Sequence, residues 1–368
     1  HYDVQPVDPL DQWTTPHFEP TVRGENLYAR GASDMKRSIF AQIKAVEALS
    51  KQGDLPVNLK YLLEGEEEIG SPSLDAFVEE HRDLLACDFV LNCDSGVLAP
   101  DLPSLVYALR GLAYFELAIR GPKKDLHSGL FGGSVHNPAQ VLCDLVAGMH
   151  DEKGRVTLPG FYDAVIPLDD EERVQIGRWP MTDDQWKTMT GAPDLWGEEG
   201  YSTLERVGGR PTLEVNGLVS GFIGEGAKTV LPARALAKIS CRLVADQDPA
   251  SIKAMLENYV SAMAPKTVTW EVRELSHGPG ALMDRHSAPM NAAAQALKTV
   301  FGKDPVFRRE GGSIPVVGVL QQTLGVESVL LGFGLPDDGI HGPNEKQHLP
   351  TLFKGIEAYV HFLAGFLA

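Results

Sequence analysis

The chain has 368 residues, of which 43% are hydrophobic, 8% aromatic and 23% charged, as expected of a folded protein with two domains and not of a disordered or fibrous one. Fifty acidic residues against 33 lysines and arginines give a formal charge of -17, which argues against nucleic acid or an anionic membrane as partner. No apolar run approaches the roughly 20 residues that span a bilayer.

The first part of the chain alternates between helix and strand patterns. Apolar residues recur with a helical period over residues 39–49, with Ser33 or Asp34 as candidate N-cap. Residues 55–63 alternate as a strand does, residues 71–85 form another helix, and residues 88–93 form a second apolar strand. This order predicts an α/β layer with a largely parallel sheet.

The middle of the chain has a different pattern. Residues 105–120 and 233–244 alternate as long strands, with many turn residues between them. The α/β pattern then resumes with predicted helices at 290–300, 316–323 and 349–364 and a strand at 326–331. We therefore expect one domain from residues 1–106 and 286–368, and an α+β domain inserted at 107–285.

The four cysteines, Cys87, Cys93, Cys143 and Cys241, are too few and too scattered for a disulfide framework or a cysteine-based zinc site. We expect small buried side chains, which fits a reducing compartment such as the cytoplasm. The chain starts at His1 without an initiator methionine, so we expect a missing N-terminal piece. A signal peptide would lie outside this sequence.

Several metal-ligand side chains follow predicted strands. The acidic run containing Glu67 and Glu68 comes after the strand at 55–63, and Asp94 comes after the next strand. Open α/β sheets bind ligands at this edge. By default such a run is a solvated acidic turn, but the positions of Asp34 and His341 favour a shared site. Imidazoles and carboxylates together suit zinc, manganese or cobalt.

Charge arithmetic favours two ions at this site. The carboxylates of Asp34, Glu68 and Asp94 offset three of four positive charges, and a bridging hydroxide offsets the fourth. His1 and Asp3 would share one face of a strand. Asp3 would then hold the second ring nitrogen of His1, a common arrangement around metal ligands.

Seven motifs, in order along nearly the whole chain, resemble one family. They are His1-Tyr-Asp-Val-Gln-Pro6, Gly31-Ala-Ser-Asp34, Glu67-Glu-Ile-Gly-Ser71, Asp125-Leu-His-Ser-Gly-Leu-Phe-Gly-Gly133, Lys228-Thr-Val-Leu-Pro232, Arg309-Glu-Gly-Gly-Ser-Ile-Pro315 and His341-Gly-Pro-Asn-Glu-Lys346. The family is that of the dinuclear metallopeptidases typified by cytosolic non-specific dipeptidase and carnosinase. More distant members are carboxypeptidase G, aminoacylase and succinyl-diaminopimelate desuccinylase.

The resemblance implies a role for each candidate ligand. Asp34 would bridge two divalent ions, zinc or manganese, with cobalt able to replace them in vitro. One ion would be completed by His1 and Asp94, and the other by Glu68 and His341.

The resemblance also implies the mechanism and the division of labour between domains. Glu67 would be the general base that activates the metal-bridging hydroxide. Residues 1–106 and 286–368 would form the metal-binding catalytic domain, and 107–285 a lid that also forms a homodimer.

Further residues would bind the substrate. By family analogy, His127 stabilises the oxyanion in the partner subunit's site, and Thr229 and Arg242 contact the substrate. Gly312 and Ser313 precede an apolar helix and could cradle a carboxylate with free backbone N–H groups. Without that role, the glycines would simply form a tight turn, His127 would be a turn residue and Arg242 would face solvent.

The sequence departs from the family at Met35 and Arg37, where many members have small residues, so we expect Arg37 to alter the wall of the site. The sequence predicts metal-dependent hydrolysis of dipeptides or short peptides with a free C-terminal carboxylate. An N-acyl amino acid hydrolase (deacylase or desuccinylase) of the same superfamily is one alternative. An inactive binding or scaffold homologue is another.

Overall fold

The computed structural model of the chain describes residues 1–53, 55–312 and 314–366. Within these ranges no helix has both the length and the apolar character to cross a membrane. The strands are β1 (Thr21–Arg23), β2 (Asn26–Tyr28), β3 (Phe89–Asn92), β4 (Ser104–Leu109), β5 (Gly111–Arg120), β6 (Leu126–His127), β7 (Thr212–Ser220), β8 (Val230–Leu231), β9 (Arg234–Leu243), β10 (Thr269–Gly278), β11 (Ala281–Leu282), β12 (Val306–Glu310), β13 (Glu327–Leu330) and β14 (Lys346–His348).

The described residues also form twelve helices. They are α1 (Lys36–Ser50), α2 (Leu74–Glu80), α3 (Arg82–Leu85), α4 (Ser128–Phe131), α5 (Pro138–Ala147), α6 (Asp170–Ile176), α7 (Asp183–Thr190), α8 (Thr203–Gly209), α9 (Pro249–Met263), α10 (Ala288–Phe301), α11 (Pro315–Leu324) and α12 (Leu349–Ala364), with short 3₁₀ turns at Leu10–Gln12 and Glu67–Ile69. The predicted C-terminal helices are confirmed within a few residues of their ends, as is the strand β13 between the last two.

The main sheet combines parallel and antiparallel pairs. Its order is β11-β4-β13-β3, with β12 beside β4. The pairs β4–β12 and β3–β13 are parallel, whereas β4–β11 and β4–β13 are antiparallel. The prediction of a largely parallel sheet is therefore not confirmed. One reason is that β4 leads into the middle segment and β11 leads out of it, so these neighbours run in opposite directions.

The connection from β4 to β5 and the connection from β10 to β11 pass close to each other at Gly111 and Gly280. A Cβ on Gly111 would lie 2.7 Å from the nitrogen of Gly280, so the two connections can approach this closely only because Gly111 has no side chain. One hydrophobic cluster includes Leu109 and Ala281 and packs the main sheet against α1, α10 and α12. A second cluster runs from Ala113 to Val272.

The middle segment forms its own antiparallel sheet, of order β10-β5-β9-β7. Alternate residues of β5 and β9 are buried, because α5 and α9 cover one face of this sheet. The other face is open and carries the charged side chains of both strands. The strand predicted at 233–244 is confirmed as β9, whereas residues 105–120 are divided at Arg110 into β4 of the main sheet and β5 of this one. The strand β7 lies at an edge of the sheet.

Two predicted elements near the start of the chain are wrong in detail. Residues 55–63 alternate as predicted but form no strand, since their backbone lies in no ladder, and Leu59, Tyr61 and Leu63 are 38%, 46% and 50% exposed. A cavity of about 740 Å³ is lined by both this segment and β3. The helix predicted at 71–85 is divided into α2 and α3 at His81.

The start of α1 and the cysteines also differ from prediction. The N-cap of α1 is Met35, not Ser33 or Asp34. The hydroxyl of Ser33 bonds to Asp338, and the carboxylate of Asp34 lies against His1 and His341. All four cysteines are free. Two of them, Cys93 and Cys241, are buried as expected, but Cys87 and Cys143 are exposed, so packing explains only half of the set.

Candidate metal centre and active site

The predicted metal ligands meet at one edge of the main sheet. Asp34 ends the loop before α1, Asp94 follows β3, and His341 lies in the loop between β13 and β14. Glu67 and Glu68 begin the 3₁₀ turn that follows the extended segment at 55–63. The N-terminal segment reaches the same place, because the backbone N–H of Tyr2 donates to the carbonyl oxygen of Glu64 at 2.9 Å and so brings His1 alongside.

Asp34 lies between the two imidazoles. Its Oδ1 is 3.1 Å from His1 Nε2, and its Oδ2 is 3.0 Å from His341 Nε2. His1 Nε2 also lies 3.9 Å from Asp94 Oδ2, and His341 Nε2 lies 3.4 Å from Glu68 Oε2. The structure therefore brings all five predicted ligands together, with Asp34 in the middle.

Three overlapping groups have ligand atoms within 4.8 Å of one another. They are His1 with Asp34 and Asp94, Asp34 with Glu68 and His341, and His1 with Glu67 and Glu68. The first two groups share Asp34 and match the two ion positions expected from the sequence. The third group would use Glu67 as a ligand, so distances alone leave the role of Glu67 open.

The electrostatics of the cluster fit divalent cations. Burial, and next the charge of Asp94, raise the pKa of Glu67 to about 7. Burial and the charge of Asp34 raise the pKa of Asp94 to about 6. Burial alone would lower the pKa of His1, but the hydrogen bond to Asp34 and the surrounding carboxylates outweigh it and raise that pKa to about 9. For Asp34, burial alone would raise the pKa, but the hydrogen bond with His1 outweighs it and lowers that pKa.

Neighbouring side chains orient the ligands. His1 Nδ1 lies 3.2 Å from both the carbonyl oxygen and Oδ1 of Asp3, so Asp3 stands where it was predicted. The Oδ2 atom of Asp3 also accepts from the backbone N–H of Glu68 at 3.0 Å. Gln5 Nε2 donates to Glu68 Oε2 at 2.7 Å. The sequence analysis missed Gln5, although it lies two residues beyond Asp3 and therefore on the same side of an extended chain.

A larger omission concerns Arg30, Asp338 and Glu345. Glu345 is fully buried and accepts hydrogen bonds from the loop that ends in Asp34. It lies inside the quoted His341-Gly-Pro-Asn-Glu-Lys346 motif, but nothing in its neighbours distinguishes it from a solvated acid. Arg37 was expected to alter the wall of the site. Its guanidinium is instead buried against Ser33, Ser95 and Asp338.

His341 has a backbone conformation that is rare outside glycine. Its φ is 63°, in the left-handed region that few residues with side chains adopt. Such conformations concentrate at functional sites, where the surrounding structure holds them in place. Here the imidazole is held towards Asp34 and Glu68, although its side chain is 55% exposed.

Arg110 and Arg242 form a pair at the antiparallel sheet of the middle segment. Arg242 is half-buried on the open face of β9, and its positive charge contributes, after burial, to lowering the pKa of Arg110 to about 10. Arg110 Nε donates to the carbonyl oxygen of Gly311 at 3.0 Å. This contact places the predicted substrate residues Arg242 and Gly312 near one another. The predicted Ser313 lies outside the described residues.

His127 and Thr229 form a separate pair. His127 on β6 pairs with Val230 on β8, and the N–H of Ser128 donates to the carbonyl oxygen of Thr229 at 3.0 Å. The exposed ring of His127 accepts from the N–H of Gly129 at 3.1 Å. In the part of the chain that the structure describes, no hydrogen bond or ion pair joins either residue to the metal cluster.

Comparisons with known proteins agree along the whole chain. The profile of peptidase family M20/M25/M40 matches residues 1–365. The chain is 34% identical over 375 residues to the Cys-Gly metallodipeptidase dug1 of Schizosaccharomyces pombe, covering 99% of this chain and 79% of the relative. It is 30% identical over 368 residues to the human Beta-Ala-His dipeptidase, covering 98% and 73%.

A solved structure shows the same fold. The crystal structure of an M20 family metallo-carboxypeptidase from Sulfolobus solfataricus superposes with a TM-score of 0.90 at 33% identity, covering 100% of this chain and 84% of that one. The resemblance read from the sequence motifs is thereby confirmed.

Proposed function

The chain belongs to peptidase family M20/M25/M40 and is a metallopeptidase, and we propose that it hydrolyses dipeptides and short peptides with a free C-terminal carboxylate. The observation that carries this proposal is the pair of ligand groups that share Asp34. Two relatives named as dipeptidases and one named as a carboxypeptidase support the substrate class. All three names describe cleavage of the bond before a C-terminal residue.

Two divalent ions, zinc or manganese, are proposed for each subunit. His1, Asp34 and Asp94 would hold one, and Asp34, Glu68 and His341 the other. Cobalt would replace them in vitro, since the mixed nitrogen and oxygen donors suit all three metals. Ions held there would lower the pKa of a water and offset negative charge that develops on the scissile carbonyl oxygen.

Glu67 is the proposed general base. Its side chain is 20% exposed and ends 4.0 Å from His1 Nε2, whereas that of Glu68 is 6% exposed and is bonded to Gln5. The more open carboxylate is the one that water can reach. A carboxylate in this position can take a proton from the attacking water and later give it to the leaving amine.

Arg242 is the proposed ligand of the substrate's C-terminal carboxylate. A guanidinium binds a carboxylate through charge-assisted hydrogen bonds. Arg110 supports this placement because it lies beside Arg242 and bonds to Gly311, the neighbour of Gly312. For Ser313 the support is the sequence motif alone.

The inserted domain is the proposed dimer contact. We place it at residues 107–285, and the change of hydrophobic cluster between Leu109 and Ala113 supports a boundary close by. The edge strand β7 exposes Val215, Leu218 and Val219, as a strand that meets a second copy would. Exposed His127 and Thr229 would then serve the partner subunit's site. A cytoplasmic location is proposed on the four free cysteines.

A substrate panel tests the proposed function. The metal-loaded protein should hydrolyse Cys-Gly, β-Ala-His and other dipeptides faster than N-acetyl or N-succinyl amino acids. The reverse preference would make it an N-acyl amino acid hydrolase. No turnover of any member by the metal-loaded full-length protein would favour an inactive homologue.

A further inference from the structure

Glu345 is a fully buried carboxylate with every hydrogen bond directed at one loop. Its Oε1 accepts from the backbone N–H groups of Ser33 at 2.8 Å and Asp34 at 2.9 Å. Its Oε2 accepts from the N–H of Gly31 at 2.9 Å and from Nη1 of Arg30 at 2.7 Å. Each oxygen therefore accepts two hydrogen bonds, and all four donors belong to the segment 30–34, which ends in the proposed shared metal ligand Asp34.

Arg30 balances this buried charge. The side chains of Arg30 and Glu345 are 1% and 0% exposed, and an ion pair so far from water is costly unless its remaining hydrogen-bonding groups are also satisfied. Nη2 of Arg30 donates to the carbonyl oxygens of Pro6 at 3.1 Å and Gly342 at 3.0 Å, whereas Nε is buried without a hydrogen-bond partner. The pair thus links the N-terminal segment, the Asp34 loop and the His341 loop.

A second carboxylate joins the same two loops. Asp338 Oδ2 accepts from the hydroxyl of Ser33 at 2.6 Å and from the N–H of Leu335 at 2.8 Å. Both carboxylates come from the chain around His341, and both hold Ser33. The backbone immediately before the Asp34 side chain is therefore fixed from one side, which directs its two oxygens towards His1 and His341.

We propose that Glu345 is a positioning residue of the metal centre, which holds the Gly31–Asp34 loop so that Asp34 lies between the two imidazoles before any ion binds. The inference rests on the proposed ligand set and goes beyond it, because Glu345 is 0% exposed and acts only through Asp34. Residues that orient metal ligands typically contribute about 10- to 100-fold to metal affinity.

Glu345→Gln is a specific probe of this role. The glutamine side chain has nearly the same size, but an NH₂ group replaces one oxygen. This NH₂ group cannot accept hydrogen bonds from the two donors that the oxygen served. Whichever way the amide lies, either the Ser33 and Asp34 pair or the Gly31 and Arg30 pair loses its acceptor. Glu198→Gln is the matched control, because Glu198 is also buried and paired with an arginine, Arg210, but lies in the inserted domain.

Titration with Mn²⁺ of chelator-treated protein measures the effect independently of hydrolysis. We expect Glu345→Gln to weaken Mn²⁺ binding about 10- to 100-fold and Glu198→Gln to leave it unchanged, even where both lower the melting temperature in EDTA. Wild-type affinity in folded Glu345→Gln overturns the proposal. So does an equal loss in both variants, which would trace the effect to stability alone. If the protein binds Mn²⁺ but hydrolyses no peptide, only the proposed function fails.

Hydrogen exchange on the wild-type protein decides the matter if Glu345→Gln fails to fold. The amides of Gly31, Ser33 and Asp34 should be protected after chelation as well as with Mn²⁺ bound, because their acceptor belongs to the chain. Fast exchange of these amides after chelation, with protection appearing only when Mn²⁺ is added, would show that the ions and not Glu345 order the loop.

Discussion

The metal cluster and the His127 region differ in how completely one chain builds them. Asp34 lies 3.1 Å from His1 and 3.0 Å from His341, and buried hydrogen bonds from the same chain hold these loops together. The ring of His127 is exposed and bonds to its own turn. One chain therefore brings together all five proposed metal ligands, whereas the proposed function of His127 needs a second subunit.

Metal removal should have the largest effect on the first region. We expect treatment with a chelator to abolish peptide hydrolysis and added zinc or manganese to restore it. Elemental analysis should give two ions per chain, because five ligand side chains from distant segments are more than one tetrahedral ion with an open position needs. A far-UV circular dichroism spectrum that is unchanged by chelation is the control. One ion at saturation, together with full activity of Asp94→Ala, would contradict the dinuclear site.

Exchange of Glu67 for glutamine should have the next largest effect. The amide keeps the size but cannot accept the proton, so we expect turnover to fall at least roughly 100-fold while metal content stays constant. Glu68→Gln should instead lose metal. Glu66→Gln is the matched control, because the amide oxygen can still accept from the N–H of Ser73. If Glu67→Gln loses metal and Glu68→Gln keeps it, the two roles are interchanged.

Mixing two inactive variants tests the second region. His127→Ala should lower kcat roughly 100-fold or more, the scale expected for loss of one oxyanion-hole donor. His136→Ala, which changes another exposed histidine in residues 107–285, should leave kcat unchanged. His127→Ala mixed with Glu67→Gln should recover up to about a quarter of wild-type activity, because each heterodimer then contains one intact site. Confirmed subunit exchange without recovery would place His127 in its own subunit or outside catalysis.

The sequence predicted which residues meet in the candidate metal centre better than it predicted the sheet that carries them. His1, Asp34, Glu68, Asp94 and His341 could be found because each has metal-binding chemistry and stands near the end of a predicted element or in a motif. Pairing direction could not be found, because the continuous apolar run at residues 105–109 indicates a buried strand but not the direction of its neighbours. The alternation of residues 55–63 likewise indicates an extended chain but supplies no strand partner.

Buried polar groups mark the other limit of sequence reasoning. Glu345 and Asp338 are charged residues in a loop, which sequence patterns assign to solvent. Only the fold shows that the N–H groups of Gly31, Ser33 and Asp34 converge on Glu345. The side chains of Ser33 and Asp34, both good capping residues, are engaged by Asp338 and by the two imidazoles, and the N-cap of α1 is Met35.

Arg242→Ala should have the smallest effect of these substitutions, and it tests the proposal that Arg242, on the open face of β9, binds the C-terminal carboxylate of the substrate. A charge-assisted hydrogen bond contributes about 1.5 to 3 kcal/mol, so Arg242→Ala should raise KM for dipeptides about 10- to 100-fold. Amidated dipeptides should be poor substrates of the wild-type enzyme.

Arg234→Ala is the control, since Arg234 is exposed on the same face of β9 and its replacement should leave KM unchanged. Equal rates for free and amidated dipeptides would show that the site does not bind the carboxylate. His127 on β6 and Thr229 before β8, which belong to a separate two-stranded sheet, would then be the remaining candidates for a catalytic role in residues 107–285.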